Sequence, residues 1–384
     1  MSNMHQPDWN PRSAEVLRDQ RATYDAMREQ CPVAYSELMQ WSVFRHEDVM
    51  RILLDHETFS SAVSEHLSVP SGMDPPEHAP YRSIIERYFS VDRMAAFEPA
   101  YRHIVADLTQ NLTRADQVEF MADFALPLAA RAQCAFLGWP LTLQEPLIRW
   151  TGKNHDATFA QDRKAMSEIA REFEGLIDEL IESRLEADVK SEDDITASLM
   201  HDKVWGRPLS HEEIASILRN WTVGEVGTIA AAVGILAHYL AEHADLQARL
   251  RAEPSLLPAA IDEILRIHGP LVAGRRITTR PVEIHGRKIG AGERISLNWI
   301  SANRDGRVFD EPDSFRLDRD PAPNLLYGAG LHVCPGAPLA RLELRVCLEE
   351  LLRRTEKIQL DPDQPSVNAV YPASGFAKLP LQLR

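Results

Sequence analysis

One cysteine stands in a glycine-rich loop directly ahead of a helical pattern. Residues 325–344 read LLYGAGLHVCPGAPLARLEL, so Cys334 lies among Gly328, Gly330 and Gly336. These glycines permit positive φ angles and a close approach of the backbone to a flat ligand. The helix that follows turns its N-terminal amides and the positive end of its dipole toward Cys334, which favours the thiolate. A thiolate in this setting is a good axial ligand for iron.

Other chemistry for this cysteine agrees less well with the rest of the chain. The four cysteines, at positions 31, 134, 334 and 347, include no C-x-x-C pair. A cysteine-ligated zinc or redox site needs paired sulfur ligands, which this spacing does not offer. We therefore expect free thiols in a reducing compartment. A buried structural cysteine in a turn is the alternative that the loop by itself leaves open.

The loop resembles the haem-binding loop of the cytochrome P450 family. The resemblance rests on the run YGAGLHVCPG at 327–336 and the LAR that follows at 339–341. It implies that Cys334 is the fifth ligand of the iron of haem b, with Gly328 and Gly336 shaping the loop. Thiolate ligation of this kind favours O–O cleavage. The supporting motifs extend the resemblance over nearly the whole chain.

A Glu-x-x-Arg pair supports the resemblance. Glu263 and Arg266 are three residues apart on a helical pattern that ends before Gly269, so the two side chains share a face. In the family this pair joins an arginine from the stretch before the cysteine loop, a position that Arg319 matches. The resemblance implies that these three residues stabilise the fold and take no part in the chemistry.

Haem carries two propionates, which require cationic or hydrogen-bonding donors. Four residues match the family's donors in order along the chain: His78, Arg82, Arg276 and His332. The first two lie one helical turn apart in the stretch DPPEHAPYR. Arg275 is the adjacent candidate if the register of this match is off by one. The resemblance therefore implies propionate binding by residues that alone would be ordinary surface charges.

The helical pattern over 211–243 is expected to cross the distal face of the haem. Family members carry an acid–alcohol pair there, in which the alcohol orders water at dioxygen and the acid relays protons. The gapless spacing from Glu263 places Thr228 at the alcohol position and Gly227 at the acid position. Glu225 lies three residues before Thr228, and on an α-helix the two would share a face. We expect that Glu225 relays protons or pairs with a substrate group; the alternative is a polar network without a catalytic role.

Two departures from the family pattern bear on the oxidant. Gly227 weakens the distal proton relay, and Pro335 has no N–H to donate to the thiolate. Fewer donors leave more charge on sulfur and strengthen its donation to iron. These features favour direct use of hydrogen peroxide, which brings its own protons and electrons. A peroxygenase is therefore the first alternative, and a haem-containing ligand-binding or sensor protein is the alternative from another class.

Helical periodicity dominates the elements that must position these residues. Apolar residues recur at three- and four-residue spacing in 45–55, 80–90, 165–185, 211–243, 257–268 and 338–354. A capping box at Ser210 and Glu213 opens the fourth segment. Strand signals are limited to a hairpin over 282–289, turning at 285–286, and the strand-like RISLNW that follows. We expect one haem domain over 1–384, mainly α with small β-sheets: the cytochrome P450 fold with a long distal helix and a proximal cysteine loop.

Composition bounds the classes of function. The chain has 384 residues, is 44% hydrophobic and 26% charged, and carries a net charge of -15. This acidic balance argues against a general nucleic-acid binder, whose affinity depends on neutralising phosphates. The N-terminal residues lack the apolar core of a signal peptide, and the longest apolar run, around 229–240, is too short to span a bilayer. We expect a cytoplasmic protein without a membrane anchor, and a monomer.

The expected function is that of a haem-thiolate monooxygenase. The resemblance implies that one oxygen atom from O2 is inserted into a small or medium apolar organic substrate, by hydroxylation or oxidative dealkylation. It also implies electrons from NAD(P)H by way of a separate reductase and ferredoxin. Family positions that would line the substrate pocket are 61–73, 223–227, 271–274 and 374–376. Such pockets are mostly apolar with a few polar anchors.

Overall fold

The structure, a computed structural model, describes residues 5–112, 117–187 and 194–384. Helices make up most of it. In chain order they are α1 (Ala14–Arg18), α2 (Gln20–Gln30), α3 (His46–Leu54), α4 (His78–Glu86), α5 (Val91–Leu112), α6 (Leu126–Leu137), α7 (Gln144–Ala160), α8 (Arg163–Ala187), α9 (Ile195–His201), α10 (His211–Thr222), α11 (Thr228–Glu242), α12 (Ala244–Ala252), α13 (Leu257–His268), α14 (Trp299–Ala302) and α15 (Ala337–Arg354). The expected mainly helical class is confirmed.

The strands are short. In chain order they are β1 (Val33–Ser36), β2 (Gln40–Val43), β3 (Phe59–Ser60), β4 (Val118–Glu119), β5 (Lys203–Val204), β6 (Arg207–Pro208), β7 (Ala273–Thr278), β8 (Val282–Ile284), β9 (Arg287–Ile289), β10 (Arg294–Asn298), β11 (Ile358–Leu360), β12 (Val367–Asn368), β13 (Phe376–Lys378) and β14 (Pro380–Leu383). The largest sheet has the order β1-β2-β10-β7-β3, and only its β2–β10 pairing is parallel. A smaller sheet has the order β11-β14-β4.

The N-terminus of α10 and the turn of the β8–β9 hairpin form where local signals in the sequence predict them. The Ser210 hydroxyl accepts from the backbone N–H of Glu213, and the Glu213 carboxylate accepts from the backbone of Ser210, so the capping box is complete. The hairpin β8–β9 turns at His285 and Gly286, which have φ angles of 46° and 74°. Two positive φ angles are what a tight two-residue hairpin turn requires.

The distal helix is one continuous element of three parts. α10 runs into a π-helical segment, Val223–Gly227, which runs into α11. The combined helix, His211–Glu242, is long and apolar enough to cross a bilayer, but most of it is buried inside the protein, as in a core helix. A π segment of this kind widens one turn of a helix and is frequent at functional sites.

Two long helices, α5 and α7, were not predicted from the sequence. α5 packs along α15, and between them they bury the residues directly behind the cysteine loop. Pro99 lies inside α5 and interrupts its apolar pattern, which hides the helix from a search for periodicity. The proximal helix α15 is thus held between α5 and α13.

Candidate functional site

The cysteine loop depends on two glycines with positive φ. Gly328 and Gly330 have φ angles of 71° and 70°. A Cβ at Gly330 would lie 3.0 Å from the carbonyl oxygen of Leu53, so the loop packs against α3 only without a side chain there. The N–H of Cys334 donates to the carbonyl oxygen of Tyr327 at 2.8 Å and closes the loop. The loop therefore fixes the cysteine at the start of α15.

The third glycine acts differently from the prediction. Gly336 has a φ of -80°, so the expectation of positive φ is wrong there. A Cβ at this position would lie 3.8 Å from the sulfur of Cys334, an ordinary contact distance. Burial raises the pKa of the free Cys334 thiol, while the N–H groups of Gly336 and Ala337 donate to the sulfur and lower it. Pro335 removes one potential donor, but the two amides beyond it remain.

Four predicted donors converge beside this loop. The rings of His78 and His332 lie 4.5 Å apart between centroids, and the Nε2 atom of each is buried without a hydrogen-bond partner among the described residues. Burial, followed by the charges of Arg276 and the His78 ring, lowers the pKa of His332 to about 4. Burial lowers the pKa of Arg276, which the charge of Asp74 raises. The described residues give Arg276 no carboxylate within ion-pair distance.

This cluster fits the propionates of haem. Orphaned imidazole nitrogens beside an unpaired guanidinium require anionic acceptors, because buried donors without partners are costly. Arg82 already donates to the carbonyl oxygen of Val333 at 2.6 Å and pairs with Glu86 at 2.7 Å, so it orders the cysteine loop as well. Arg275, the alternative register, donates instead to the hydroxyl of Tyr371. The residues present thus agree with the donor set that the sequence predicted.

The Glu263 cluster lies behind the loop, as the resemblance implied. Arg266 donates to both carboxylate oxygens of Glu263, at 2.7 and 3.0 Å, and Arg319 donates to the same carboxylate at 2.8 Å. Arg266 also donates to the carbonyl oxygens of Asn303 and Pro312. Every charge in this group therefore has partners, and the cluster ties α13 to the chain that enters the cysteine loop.

A cavity of about 380 Å³ lies against the distal helix. Its lining residues come from the loop after β3, from α7, from the distal helix and from the segments at β7 and Tyr371. They are Ser61, Val63, Ser64, Ser68, Ser71, Gly72, Asn154, His155, Thr158, Val223, Gly227, Thr228, Pro270, Leu271, Ala273, Arg275, Arg276, Tyr371, Pro372 and Ala373. The lining includes the expected regions near 61–73, 223–227 and 271–274, and near 374–376 it includes the residues just before that turn. The cavity surface is mainly apolar, with hydroxyl groups of serine, threonine and tyrosine and the amide of Asn154 as polar anchors, as the sequence led us to expect.

Thr228 lines the cavity where the distal helix packs against α7, a contact that the sequence did not predict. Gly227 precedes it, and a Cβ at Gly227 would lie 3.0 and 3.1 Å from the Cε1 and Nε2 atoms of His155 on α7. Thr151, one turn earlier on α7, places its Cγ2 3.4 Å from the same point. The acid position of the distal helix is therefore a glycine against which an imidazole packs.

Glu225 lies away from the cavity, so the expectation that it shares a face with Thr228 is wrong. The helix is π-helical at this point, and its wider turn separates residues that an α-helix would align. Glu225 is 8% exposed and faces Glu343 of α15, which is fully buried. Burial raises the pKa of Glu225 to about 7, and burial beside Glu225 raises the pKa of Glu343 well above its ordinary value. Apart from a hydrogen bond that the two carboxyl groups share, the described residues supply no donor to Glu225 Oε1 or to either Glu343 oxygen, and the Tyr101 hydroxyl lies nearby.

Sequence reasoning missed His155, Glu343 and Tyr101. Glu343 interrupts the apolar face of α15, and an acid at such a position signals a buried carboxyl group. A glycine inside a helical pattern, here Gly227, signals close approach of another side chain. Nothing in the sequence shows which side chain approaches.

Comparisons with known proteins agree with this arrangement. The family model described as Cytochrome P450 matches residues 139–382. Erythromycin C-12 hydroxylase of Saccharopolyspora erythraea is 33% identical over 362 residues, which are 90% of each chain. Cyclomarin C epoxidase CymV of Salinispora arenicola is 30% identical over 349 residues, which are 87% of this chain and 88% of the relative.

A solved structure shares the fold. It is a mutant of P450 EryK in complex with erythromycin B, with a TM-score of 0.86 and 29% sequence identity. The likeness covers 95% of this chain and 96% of that chain. The long distal helix and the proximal cysteine loop thus lie in a fold that both chains share.

Proposed function

The chain belongs to the cytochrome P450 family of monooxygenases, and we propose that it inserts one oxygen atom from O2 into an organic substrate with Cys334 as the thiolate ligand of haem iron. The observation that carries the proposal is the free thiol of Cys334, to which the amides of Gly336 and Ala337 donate, on a loop that also holds the unpartnered ring of His332 beside His78. We propose His78, Arg82, Arg276 and His332 as the residues that hold the propionates.

The family implies haem. The chemistry that haem supplies can be separated from what the residues of this chain do. When bound, haem supplies the iron at which dioxygen is reduced, with thiolate donation favouring cleavage of the O–O bond. The chain holds the sulfur with the amides of Gly336 and Ala337, and Gly328 lets the loop turn. Its remaining task is to bind the substrate, limit the access of water and deliver protons.

Thr228 is the proposed residue that orders water at the reacting oxygen, because its side chain lines the cavity. We keep Glu225 as a proposed proton-holding group, now on the core side of the distal helix, where it faces Glu343. Its carboxyl group does not line the described cavity, which speaks against the pairing with substrate that the sequence left open. If Glu225→Gln left both coupling and substrate affinity unchanged, its role in the relay would be removed.

The cavity supports a small or medium organic substrate with an apolar body and hydrogen-bonding groups. Its volume of about 380 Å³ lies in the range of small-molecule sites. Val63, Val223 and Leu271 supply apolar surface, while serines of the loop after β3 supply hydroxyl groups. The relatives include an erythromycin C-12 hydroxylase and a cyclomarin C epoxidase, and oxidation of a secondary metabolite is the proposed role here.

The remaining expectations are part of the same proposal. Electrons come from NAD(P)H through a reductase and a ferredoxin-type donor. Residues 1–384 form one haem domain, which acts as a monomer in the cytoplasm. Core residues of α4, α5, α6, α11, α13, α15 and β14 belong to one contiguous apolar cluster in the described part of the chain, which supports a single domain.

One experiment tests the function and its main alternative. The purified, haem-loaded protein receives an O-dealkylation probe such as 7-ethoxycoumarin, with ferredoxin, reductase and NADH in one assay and hydrogen peroxide in the other. Product mainly in the first assay supports the monooxygenase. Cys334→Ala is the matched control and should form no product and lose the absorption of a thiolate-ligated carbonyl complex.

A peroxygenase is the second candidate, and Gly227 favours it, since this position offers no acid. Product from hydrogen peroxide at a rate that equals or exceeds the electron-driven assay would support it. Absence of any peroxide-driven product would remove this candidate.

A further inference from the structure

The imidazole of His155 fills the place beside Thr228 that a side chain at Gly227 would take. A Cβ on Gly227 would come within 3.1 Å of His155 Nε2, so the two positions exclude each other. Both Thr228 and His155 line the same cavity. His155 makes no hydrogen bond to any other residue that the structure describes, so its ring nitrogens are free to meet water there.

A second observation points to water at this spot. Thr151 lies one turn before His155 on the same face of α7, and its Oγ1 is buried without a partner among the described residues. The residue is only 4% exposed, so its hydroxyl needs a donor or acceptor from within the protein or from ordered water. Thr151 and His155 therefore place two polar side chains, one helical turn apart on α7, beside Gly227.

Burial of His155 favours its neutral form. Burial lowers its pKa, and the exposed neighbour Asp156 raises it. Arg275, Arg276 and Tyr371 face it from the other walls of the cavity. On the side of α7 that faces α8, Lys153 pairs with Glu172 at 2.8 Å. Within the lining that the structure describes, His155 is the one group whose ordinary pKa lies near neutrality.

We propose that His155 is the proton-relaying residue of the cavity, and that it replaces by position a side chain at Gly227. This inference rests on the proposed monooxygenase function. The overall reaction is RH + O2 + 2H+ + 2e− → ROH + H2O, with the electrons from the ferredoxin-type donor. One ring nitrogen of neutral His155 donates a proton to the water that Thr228 orders, and the other accepts a proton from the solvent side. The relay therefore supplies protons without a net change in His155.

The test measures the NADH electrons that are not used to form product. If the relay is lost, the O–O bond is not cleaved, and dioxygen leaves as hydrogen peroxide, O2 + 2H+ + 2e− → H2O2, with both protons taken from bulk water. The haem-loaded protein is supplied with ferredoxin, reductase and NADH, with and without 7-ethoxycoumarin, and the fraction of NADH electrons released as hydrogen peroxide is measured from pH 6 to 9. In His155→Gln this fraction should rise about tenfold, below the roughly 10²–10⁴-fold effect of direct general acids because water partly substitutes.

A rescue separates relay from packing. His155→Ala combined with Gly227→Asp removes the clash and returns a titratable group to the helix, so it should recover most of the coupling. Gly227→Asp alone should not, since its side chain would contact the imidazole. His103→Gln, a histidine on α5 with a 79% exposed side chain, is the matched control and should match the wild type.

The outcomes are decisive in both directions. An unchanged peroxide fraction and an unchanged pH profile in His155→Gln would overturn the proposal, as would a wild type that already releases nearly all its electrons as peroxide. The peroxide fraction is measurable without any product. Failure of the wild type to oxidise the probe in either assay would therefore count against the proposed function and leave the relay to be judged by the peroxide fraction.

Discussion

Two groups of buried carboxylates in this protein differ in what surrounds them. Glu263 lies beneath the cysteine loop and receives four hydrogen bonds from side chains and backbone of Arg266, Arg316 and Arg319. Glu225 and Glu343 lie between the distal helix and α15 and face each other with no cation beside them. The first group is a fully paired charge, and the second is a pair of acids that holds protons.

The difference follows from the cost of burying charge. A buried carboxylate with guanidinium partners stays ionised, and removing either partner leaves an unpaired charge. Two carboxyl groups without a cation cannot both ionise in the same apolar surroundings, so at least one binds a proton. The Glu263 cluster therefore stabilises the fold, while the Glu225–Glu343 pair costs stability and offers a proton store behind the distal helix.

Breaking the Glu263 cluster should have the largest effect. Glu263→Gln leaves Arg266, which is 1% exposed, without its carboxylate. We expect a loss of about 3–5 kcal/mol in the free energy of unfolding, the range for breaking a buried ion pair. Urea unfolding followed by circular dichroism measures it. Glu172→Gln, which removes the exposed partner of Lys153, is the control and should change the same quantity by less than about 1 kcal/mol. Equal losses in the two variants would contradict the comparison.

Replacing the acid pair should have the opposite sign. Glu225→Met combined with Glu343→Met removes two buried carboxyl groups whose only hydrogen bond among the described residues is to each other, and it keeps roughly the same side-chain volume. We expect the free energy of unfolding at pH 8 to rise by about 1–4 kcal/mol, as for other buried ionic groups replaced by apolar ones. Thermal unfolding at fixed protein concentration measures the gain. A loss of stability would mean that ordered water or another donor already satisfies the pair.

The two groups also differ in how far the sequence predicted them. Glu263 and Arg266 are three residues apart on one helix, so their contact is a local consequence of helical spacing. The partner of Glu225 lies on a helix far along the chain, and only the packed fold brings α15 against the distal helix. The π segment at Val223–Gly227 changes which residues share a face, and no periodicity rule predicts it.

The same limit applies to the site. The short-range features of the cysteine loop and the position of Thr228 in the cavity wall were predicted. Both depend on residues that are close together in the sequence: the glycines of the loop and the apolar pattern of the distal helix. Gly227 was interpreted as a lost acid. The structure shows that the glycine also makes room for His155, a contact between two helices that one sequence does not reveal.

The pH dependence of stability should identify the acid pair. Burial raises the pKa of Glu225 to about 7, above its unfolded value, so the folded protein binds more protons between these two values. Stability from this group is therefore full below about pH 4.5 and is lost as pH rises through about 7. We expect the contribution of Glu225, measured as wild type minus Glu225→Gln, to fall by about 1 kcal/mol per pH unit across this window. The difference is needed because buried histidines such as His155 and His268, whose pKa values are lowered, change the total in the opposite sense.

A variant that cannot titrate supplies the contrast. Glu225→Gln should lack the pH-dependent contribution of Glu225 to the free energy of unfolding between pH 5 and 8. Urea unfolding at each pH is the measurement. Glu168→Gln, which changes a half-exposed acid on α8, should keep the wild-type slope. Identical slopes in wild type and Glu225→Gln would mean that Glu225 does not hold a proton in this range.

Removing one hydroxyl should have the smallest effect and tests whether the acid pair truly lacks donors. Tyr101 is fully buried, and its hydroxyl has no partner among the described residues. Tyr101→Phe should therefore change the free energy of unfolding by less than about 0.5 kcal/mol, because the substitution removes a hydroxyl group that makes no hydrogen bond in the folded protein. Tyr81→Phe is the matched control: its hydroxyl donates to Glu213, and its loss should cost about 1–2 kcal/mol. If Tyr101→Phe costs as much as Tyr81→Phe and also shifts the pH dependence of unfolding, the Tyr101 hydroxyl donates to the pair, and the contrast with the Glu263 cluster becomes one of donor number.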